Sequence, residues 1–423
     1  MIQFVFISME NTQMSYGSPE VSSKVRIKIM WRKTNQVTFS GCNLSPLLFS
    51  IFINDLGSKL NSSGLGINLA THNISSIFFA DDLVLIGRTK AALDTLMEIT
   101  RDFFTNHKLE ISEKKSKIFN HDCATGKTTF QSSHLQTPLH LENVMAFKYL
   151  GFPLNCSPHN FLKDFNEQVK KRAQNYLVSV LSLVRSGPDR SALAYTLWCR
   201  CALPSILYGT EIMPLTQATI SEVEKCQHAV GRFILQLPRG SANCSSFLDA
   251  GLKPVWSHIA EKVILYSQSL MSRPSSYWAK IAMDENLTLG NKSPYTRYLL
   301  KWKTATDCFG LPPKQIRAAV KRSAILDVFR QQRQTSTSCF AMNEPASSSS
   351  NSWFRPKLWV TDSSSSKIIA QFRSCNLQLG NRGPAKNGQF YKLCPLCTRA
   401  GTSALNNEVI INYKNCVYSF LYF

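Results

Sequence analysis

Residues Ile77 to Gly87 read IFFADDLVLIG, two adjacent aspartates between apolar runs that are each long enough for a β-strand. Ionised carboxylates are among the side chains least often buried, because leaving water without a partner costs several kcal/mol per charge. An acidic pair inside such a segment implies a surface turn or a bound cation. A β-hairpin with strands at about 74–79 and 83–86 meets the first requirement, since Asp is a frequent turn residue. These eleven residues alone leave both readings open.

The flanking segments supply helices for the hairpin to pack on. In GCNLSPLLFSIFINDLGSKL (41–60), Ser45 suits an N-cap and Pro46 the first helical position. Leu47, Leu48, Ile51, Phe52 and Leu56 would then form one apolar face. Downstream, KAALDTLMEITRDFFTNH (90–107) places Leu93, Leu96, Met97, Thr100, Phe103 and Phe104 at helical spacing. Strands are expected near 116–119 and 147–152. Helix, hairpin, helix and further strands describe an α+β unit, with helices packed on an antiparallel sheet.

From about residue 160 the pattern is helical. FLKDFNEQVKKRAQNYLVSVLSLVRS aligns Leu162, Phe165, Val169, Ala173, Tyr176, Leu177, Val180, Leu181 and Val184 on one stripe, with Lys170, Lys171 and Arg172 mostly off it. Thr219 and Glu222 have the spacing of a capping box, for a helix that carries Val223, Val230, Phe233 and Ile234. The Ser-rich stretch 334–352 reads as a linker. The expected organisation is an α+β domain over 1–155, a helical region over 156–333, the linker, and a small C-terminal region over 353–423.

The chain carries 48 Lys and Arg against 27 acidic residues, a formal charge of +21. The excess is distributed over KVRIKIMWRK, EKKSK, KKR and PPKQIRAAVKR, which suits a long groove facing a polyanion, nucleic acid before membrane. Thirteen cysteines without a disulfide-like rhythm point to a reducing setting, so a nuclear or cytoplasmic, non-secreted protein is expected. MIQFVFISMENTQM has no basic n-region and is not read as a signal peptide. No apolar run approaches the roughly 18 residues of a membrane-spanning helix.

The run GCNLSPLLFSIFINDL, FADD 36 residues on from Ser45 to Asp81, LEISEKKSK, and FKYLG at 147–151 resembles, in that order and spacing, the reverse transcriptase domain of non-LTR (LINE-type) retrotransposons. SILYGTEIMPL (205–215) resembles the region after the polymerase core of the same elements. The resemblance implies a polymerase palm followed by a thumb-like helical bundle, acting as an RNA-directed DNA polymerase on an RNA template and a primer or RNA–DNA hybrid. It implies two Mg²⁺ ions that stabilise the attacking and leaving oxygens of nucleotidyl transfer. Hard cations take carboxylate oxygens, here from Asp81 most directly and Asp82 less so. Gly41, Leu44, Ser45 and Pro46 would contact template and incoming nucleotide, and Lys115 would lie near the departing pyrophosphate. Phe147, Lys148, Tyr149, Leu150 and Gly151 would form the hairpin that supports the primer end.

Several departures from the family accompany this. Such polymerases place another aspartate on a strand upstream of the Leu-Ser-Pro loop, in a setting such as Phe-x-Asp-x-x-x-Ala-Phe-Asp. The 40 residues before Gly41 hold no Asp, only Glu10 and Glu20. The upstream strand and the finger region are therefore expected to be missing, with catalysis impaired, or replaced altogether by noncatalytic binding of RNA or DNA. Ser40 stands where the family has Gln. In the tail, Cys394, Cys397 and Cys416 resemble three ligands of a zinc knuckle, with Ile410 where His is expected. Three thiolates leave a structural Zn²⁺ site one ligand short, so weak Zn²⁺ retention at most is expected.

Overall fold

The computed structural model describes residues 3–10 and, apart from 108, 121–125, 131–138, 186–189 and parts of 238–249, residues 45–334. These fall into two compact units. The first contains residues 1–169, 209–216 and 262–305, and the second the remainder.

An α+β arrangement with a mainly antiparallel sheet forms the first unit. Its strands are β1 (Gln3–Glu10), β4 (Ser76–Phe79), β5 (Asp82–Gly87), β6 (Glu110–Ile111), β7 (Lys117–Asn120), β8 (Gly126–Phe130) and β9 (Leu139–Val144). They run in the order β4-β5-β1-β7-β9-β8, with β6 also paired to β1 and only β7–β9 parallel. Two small hairpins, β2 (Ile67–Leu69) with β3 (His72–Ile74), and β10 (Ala146–Tyr149) with β11 (Phe152–Asn155), complete the β structure. The strand expected over 147–152 is therefore a hairpin. Leu150 and Gly151, at φ +46° and +85°, form its two-residue turn.

Strand alternation separates the sheet into two faces. Val5, Ile7, Leu83, Leu85 and Ile118 share one core with Ile53, Leu56 and Leu60 of α1 (Ser45–Ser62) and Leu93, Leu96, Met97, Phe103 and Phe104 of α2 (Lys90–Asn106). Val84, Ile86 and Phe119, alternating with these, share a second core with Ile74 and Cys156, against which Phe147, Tyr149 and Leu154 pack. The helices thus cover one side and the β10–β11 hairpin the other.

The α2 stripe is the expected one, with Thr89 capping the Ala92 N–H. On α1 the buried face is rotated from expectation: Leu47 and Ile51 are 57% and 62% exposed. The apolar line through Phe49, Phe52, Ile53, Leu56 and Leu60 is the longer one, and it reaches α2 through a Phe52–Phe103 ring contact at 5.7 Å.

Helix α3 (Pro158–Leu183) opens by buttressing the hairpin. Gln168 Nε2 donates to the Gly151 carbonyl at 3.1 Å, and Asn155 Nδ2 donates to Asp164 Oδ2 at 2.9 Å. Phe165 stacks on Phe152 at 5.9 Å. Gly209, in the SILYGTEIMPL segment, lies against the same two rings at φ +87°, where a Cβ would come within 2.6 Å of Phe152. Only glycine meets both demands.

The second unit is helical where described. It contains the later part of α3, then α4 (Arg190–Leu197), a π-turn (Trp198–Ala202), α5 (Leu203–Ile206), α6 (Gln217–Ile234), the start of α7 (Val255–Met271), and α10 (Pro313–Gln334). The two helices between, α8 (Trp278–Thr288) and α9 (Pro294–Thr306), belong almost wholly to the first unit. Phe165, Val169, Ala173, Val180 and Val184 are buried as the stripe predicts. Lys171 is exposed, whereas Lys170 and Arg172 are half-buried, and burial lowers the Arg172 pKa. Thr219 is not a cap: α6 starts at Gln217, so Thr219 sits fully buried in its first turn.

If β1 is a true central strand, Ile7→Ala removes a side chain that is 2% exposed and costs about 2–5 kcal/mol. Urea unfolding of the first unit should show it; a change under about 0.5 kcal/mol would mean that the pairing of β1 adds little.

Candidate nucleic-acid cleft

Phe79 pairs with Asp82 across a two-residue turn, Ala80–Asp81, with Ala80 at φ +50°. A left-handed non-glycine residue costs about 1–2 kcal/mol, so the surrounding strands hold this turn against a local preference. The acidic pair thus sits at a tight turn. Asp81 is exposed at its tip and Asp82, half-buried, starts β5.

Asp82 lines a cleft of about 230 Å³ together with Ile7, Leu83, Lys115, Phe147, Lys148, Tyr149 and Leu150. Residues 33 and 65 positions away from Asp82 in sequence thus meet it at one place. Lys115 is brought there by the turn after β6, closed by its N–H donating to the Ser112 carbonyl at 3.2 Å. Phe147 to Leu150 come from the β10–β11 hairpin, anchored by Phe147 and Tyr149 in the second core. Lys115 and Lys148 are exposed, which leaves two ammonium groups at the rim of a partly apolar cleft.

The electrostatics fit one enclosed site. Burial first, and then the Asp81 charge, raise the Asp82 pKa. Burial and the Asp82 charge push the Tyr149 phenol up to about 12. Tyr149 stays protonated at neutral pH, its hydroxyl oxygen buried beneath the cleft surface.

Gly41 and Leu44 lie outside the described residues, as do Cys394, Cys397 and Cys416; Ser45 and Pro46 open α1, but their side chains lie outside as well. Gly151 supports the hairpin turn from beneath through Gln168 and is not among the lining residues.

The strand next to the acidic turn was not foreseen. β1 runs antiparallel to β5 with Ser8 as the backbone partner of Asp82, and Ile7 and Leu83 form cleft lining where they pair. The upstream strand expected to be missing therefore has a counterpart, and it carries serine at this register. The sequence offers little signal for it, since Phe4, Val5, Phe6 and Ile7 form a short continuous apolar run without alternation.

Comparison with known proteins agrees with the geometry. Residues 7–154 match the reverse transcriptase (RNA-dependent DNA polymerase) family. This segment is a reverse transcriptase domain of the non-LTR retrotransposon kind. The match opens inside β1, which makes that strand part of the domain. Two Pol polyproteins of the type-1 retrotransposable element R2 of Popillia japonica are similar to the chain. One is 25% identical over 192 residues, 44% of this chain and 26% of the polyprotein; the other is 22% identical over 219 residues, 49% and 34%. The chain thus spans about a quarter to a third of the length of these relatives.

Reverse transcriptases use Mg²⁺, and the donor set here meets that need only in part. Asp81 and Asp82 sit on one turn, and the described residues contain no group of three or more His, Cys, Asp or Glu able to hold a metal. Two adjacent carboxylates are too few for a two-metal clamp, which needs oxygens bridging both ions.

Asp81→Asn should lower the Asp82 pKa only part of the way toward its ordinary value, because burial is the larger cause. Carboxyl ¹³C titration would read this. Full return to the ordinary value would show that the Asp81 charge dominates.

Proposed function

We propose that residues 1–155 are a reverse transcriptase palm that holds a primer–template in the cleft between the β4–β5 turn and the β10–β11 hairpin, with a metal site interrupted at position 8. The observation that carries this reading is the register that sets Ser8 opposite Asp82. Directly opposed residues of an antiparallel pair share a sheet face. An aspartate at this register would follow the family's pattern of a carboxylate on the strand beside the acidic turn; the sequence has serine there.

The remaining parts serve binding. Lys115 and Lys148 attract phosphates, and Phe147 and Leu150 give apolar surface for a sugar or base. The helices after α3 then correspond to a thumb-like region. RNA template with a primer or hybrid is the partner class, and the distributed +21 charge supports its capture. A carboxylate lost from a metal clamp removes several kcal/mol of transition-state stabilisation, and about 1.4 kcal/mol is tenfold in rate, so the expected loss is at least roughly a thousandfold. Noncatalytic binding of RNA or RNA–DNA hybrid is the activity that remains.

The expected outcome is steeply salt-dependent hybrid binding without detectable primer extension by the native chain. Ser8→Asp should yield measurable Mg²⁺-dependent extension, abolished by a further Asp82→Asn. Extension by the unaltered chain that is lost in Asp81→Ala would overturn the interrupted-site reading, and so would a Ser8→Asp chain that folds yet gains neither cation binding nor activity.

A further inference from the structure

One turn of α3, Asp164 to Gln168, holds two separate pieces of chain. The first is the β10–β11 hairpin: Asp164 accepts from Asn155, Phe165 stacks on Phe152, and Gln168 Nε2 donates to the Gly151 carbonyl at 3.1 Å. The second is the strap Gly209–Thr216. Asn166, 4% exposed, donates through Nδ2 to the Pro214 carbonyl at 3.3 Å and accepts the Thr216 N–H at 2.9 Å, so its amide pairs with the strap as a peptide group would. Tyr298 of α9 donates to the Thr210 carbonyl at 2.9 Å and Lys262 of α7 pairs with Glu211 at 3.0 Å, which ties the strap to two further helices. Strap and hairpin meet at Gly209, where a Cβ would press on both Phe152 and Phe165.

The hairpin needs such support. It lies outside the main sheet, and a two-stranded hairpin is marginally stable alone. Its turn also holds Leu150 at φ +46°, a left-handed conformation unfavourable for leucine. Yet Lys148 and Leu150 line the cleft with Asp82. Gln168 reaches the turn itself, at the residue after Leu150. Its Oε1 is buried and has no hydrogen-bond partner among the described residues. A side chain present for packing would lose nothing by being apolar, whereas an amide that leaves its oxygen unpaired to keep an N–H on Gly151 marks that donor as the reason for the residue.

We infer that Gln168 is a positioning residue of the cleft: through the Gly151 carbonyl it sets the Leu150–Gly151 turn, and with it the placement of Lys148 and Leu150 beside Asp82. Asn166 and the strap fix the helical turn that carries it. The inference rests on the reading of the cleft as a primer–template site.

The test measures, at one KCl concentration, the preference of the full chain for an RNA–DNA hybrid with a recessed 3′ end over a blunt one, together with the melting temperature of each variant. Gln168→Met keeps the length and packing of the side chain and removes the donor. It should lower the preference about fivefold, the effect of one hydrogen bond, and leave blunt-end binding nearly unchanged. Lys148→Gln should lower the preference as well, and the double variant should lose less than the product of the two losses, because a lysine already displaced has less left to lose. Asn166→Ser, which releases the strap and leaves the hairpin contacts in place, should shift the preference in the same direction. A Gln168→Met chain that melts lower but keeps the native preference, or that combines with Lys148→Gln in strict proportion, overturns the inference and makes Gln168 a support of the fold alone; a preference still lost in Lys148→Gln would then leave the cleft reading standing. A native chain with no recessed-end preference removes the cleft reading and this inference with it.

Discussion

The first unit depends on the pairing of Gln3–Glu10 with its neighbours. β1 bonds to β5 on one side and to β7 on the other, so it joins the acidic hairpin to the rest of the sheet. Without it, β4–β5 would be a two-stranded ribbon, marginally stable alone, and β7, β9 and β8 would lose their link to it. Val5 and Ile7 place that strand under α1 and α2, and the same register sets Ser8 across from Asp82. One set of backbone hydrogen bonds therefore maintains the sheet and sets the register of residue 8 against the acidic turn.

The core and the cleft draw on different atoms. Core packing uses one face of the strands, helped by helix α2 and the aromatic contacts of α1. The cleft uses the turn, Lys115 and the β10–β11 hairpin, itself braced by Gln168, Phe165 and Gly209. None of these supports involves residue 8, so the shape of the groove rests on other residues. Burial and a neighbouring negative charge raise the pKa of both Asp82 and Tyr149 in this cleft.

The acidic turn and α2 were legible in the sequence because each rests on local pattern, Leu93 to Phe104 repeating at helical spacing, whereas local pattern gave a single strand over 147–152 and only the resemblance implied a hairpin there. That Asp82, Lys115 and Tyr149 share one cleft followed from resemblance rather than from local pattern, since their meeting depends on long-range pairing. What stayed hidden was nonlocal. The eight residues of β1 look like an unremarkable apolar run until β5 and β7 close on them. The rotation of α1 depends on which of two apolar lines finds a partner, and α2 decides it through Phe103. Thr219 satisfies a capping spacing, yet the helix starts earlier. β9 was missed although Leu139, His140, Leu141 and Glu142 alternate apolar with polar, buried with exposed, over only four residues, and its place in the sheet is set by pairing with β7 and β8.

Manganese EPR on the native chain bound to a recessed-end RNA–DNA hybrid tests the central claim most directly. With only the Asp81–Asp82 turn to supply carboxylates, the account predicts no more than one weakly held Mn²⁺ per chain and no exchange coupling between ions. Two tightly bound, coupled Mn²⁺ ions, lost on Asp82→Asn, would contradict it by showing that another group completes the clamp.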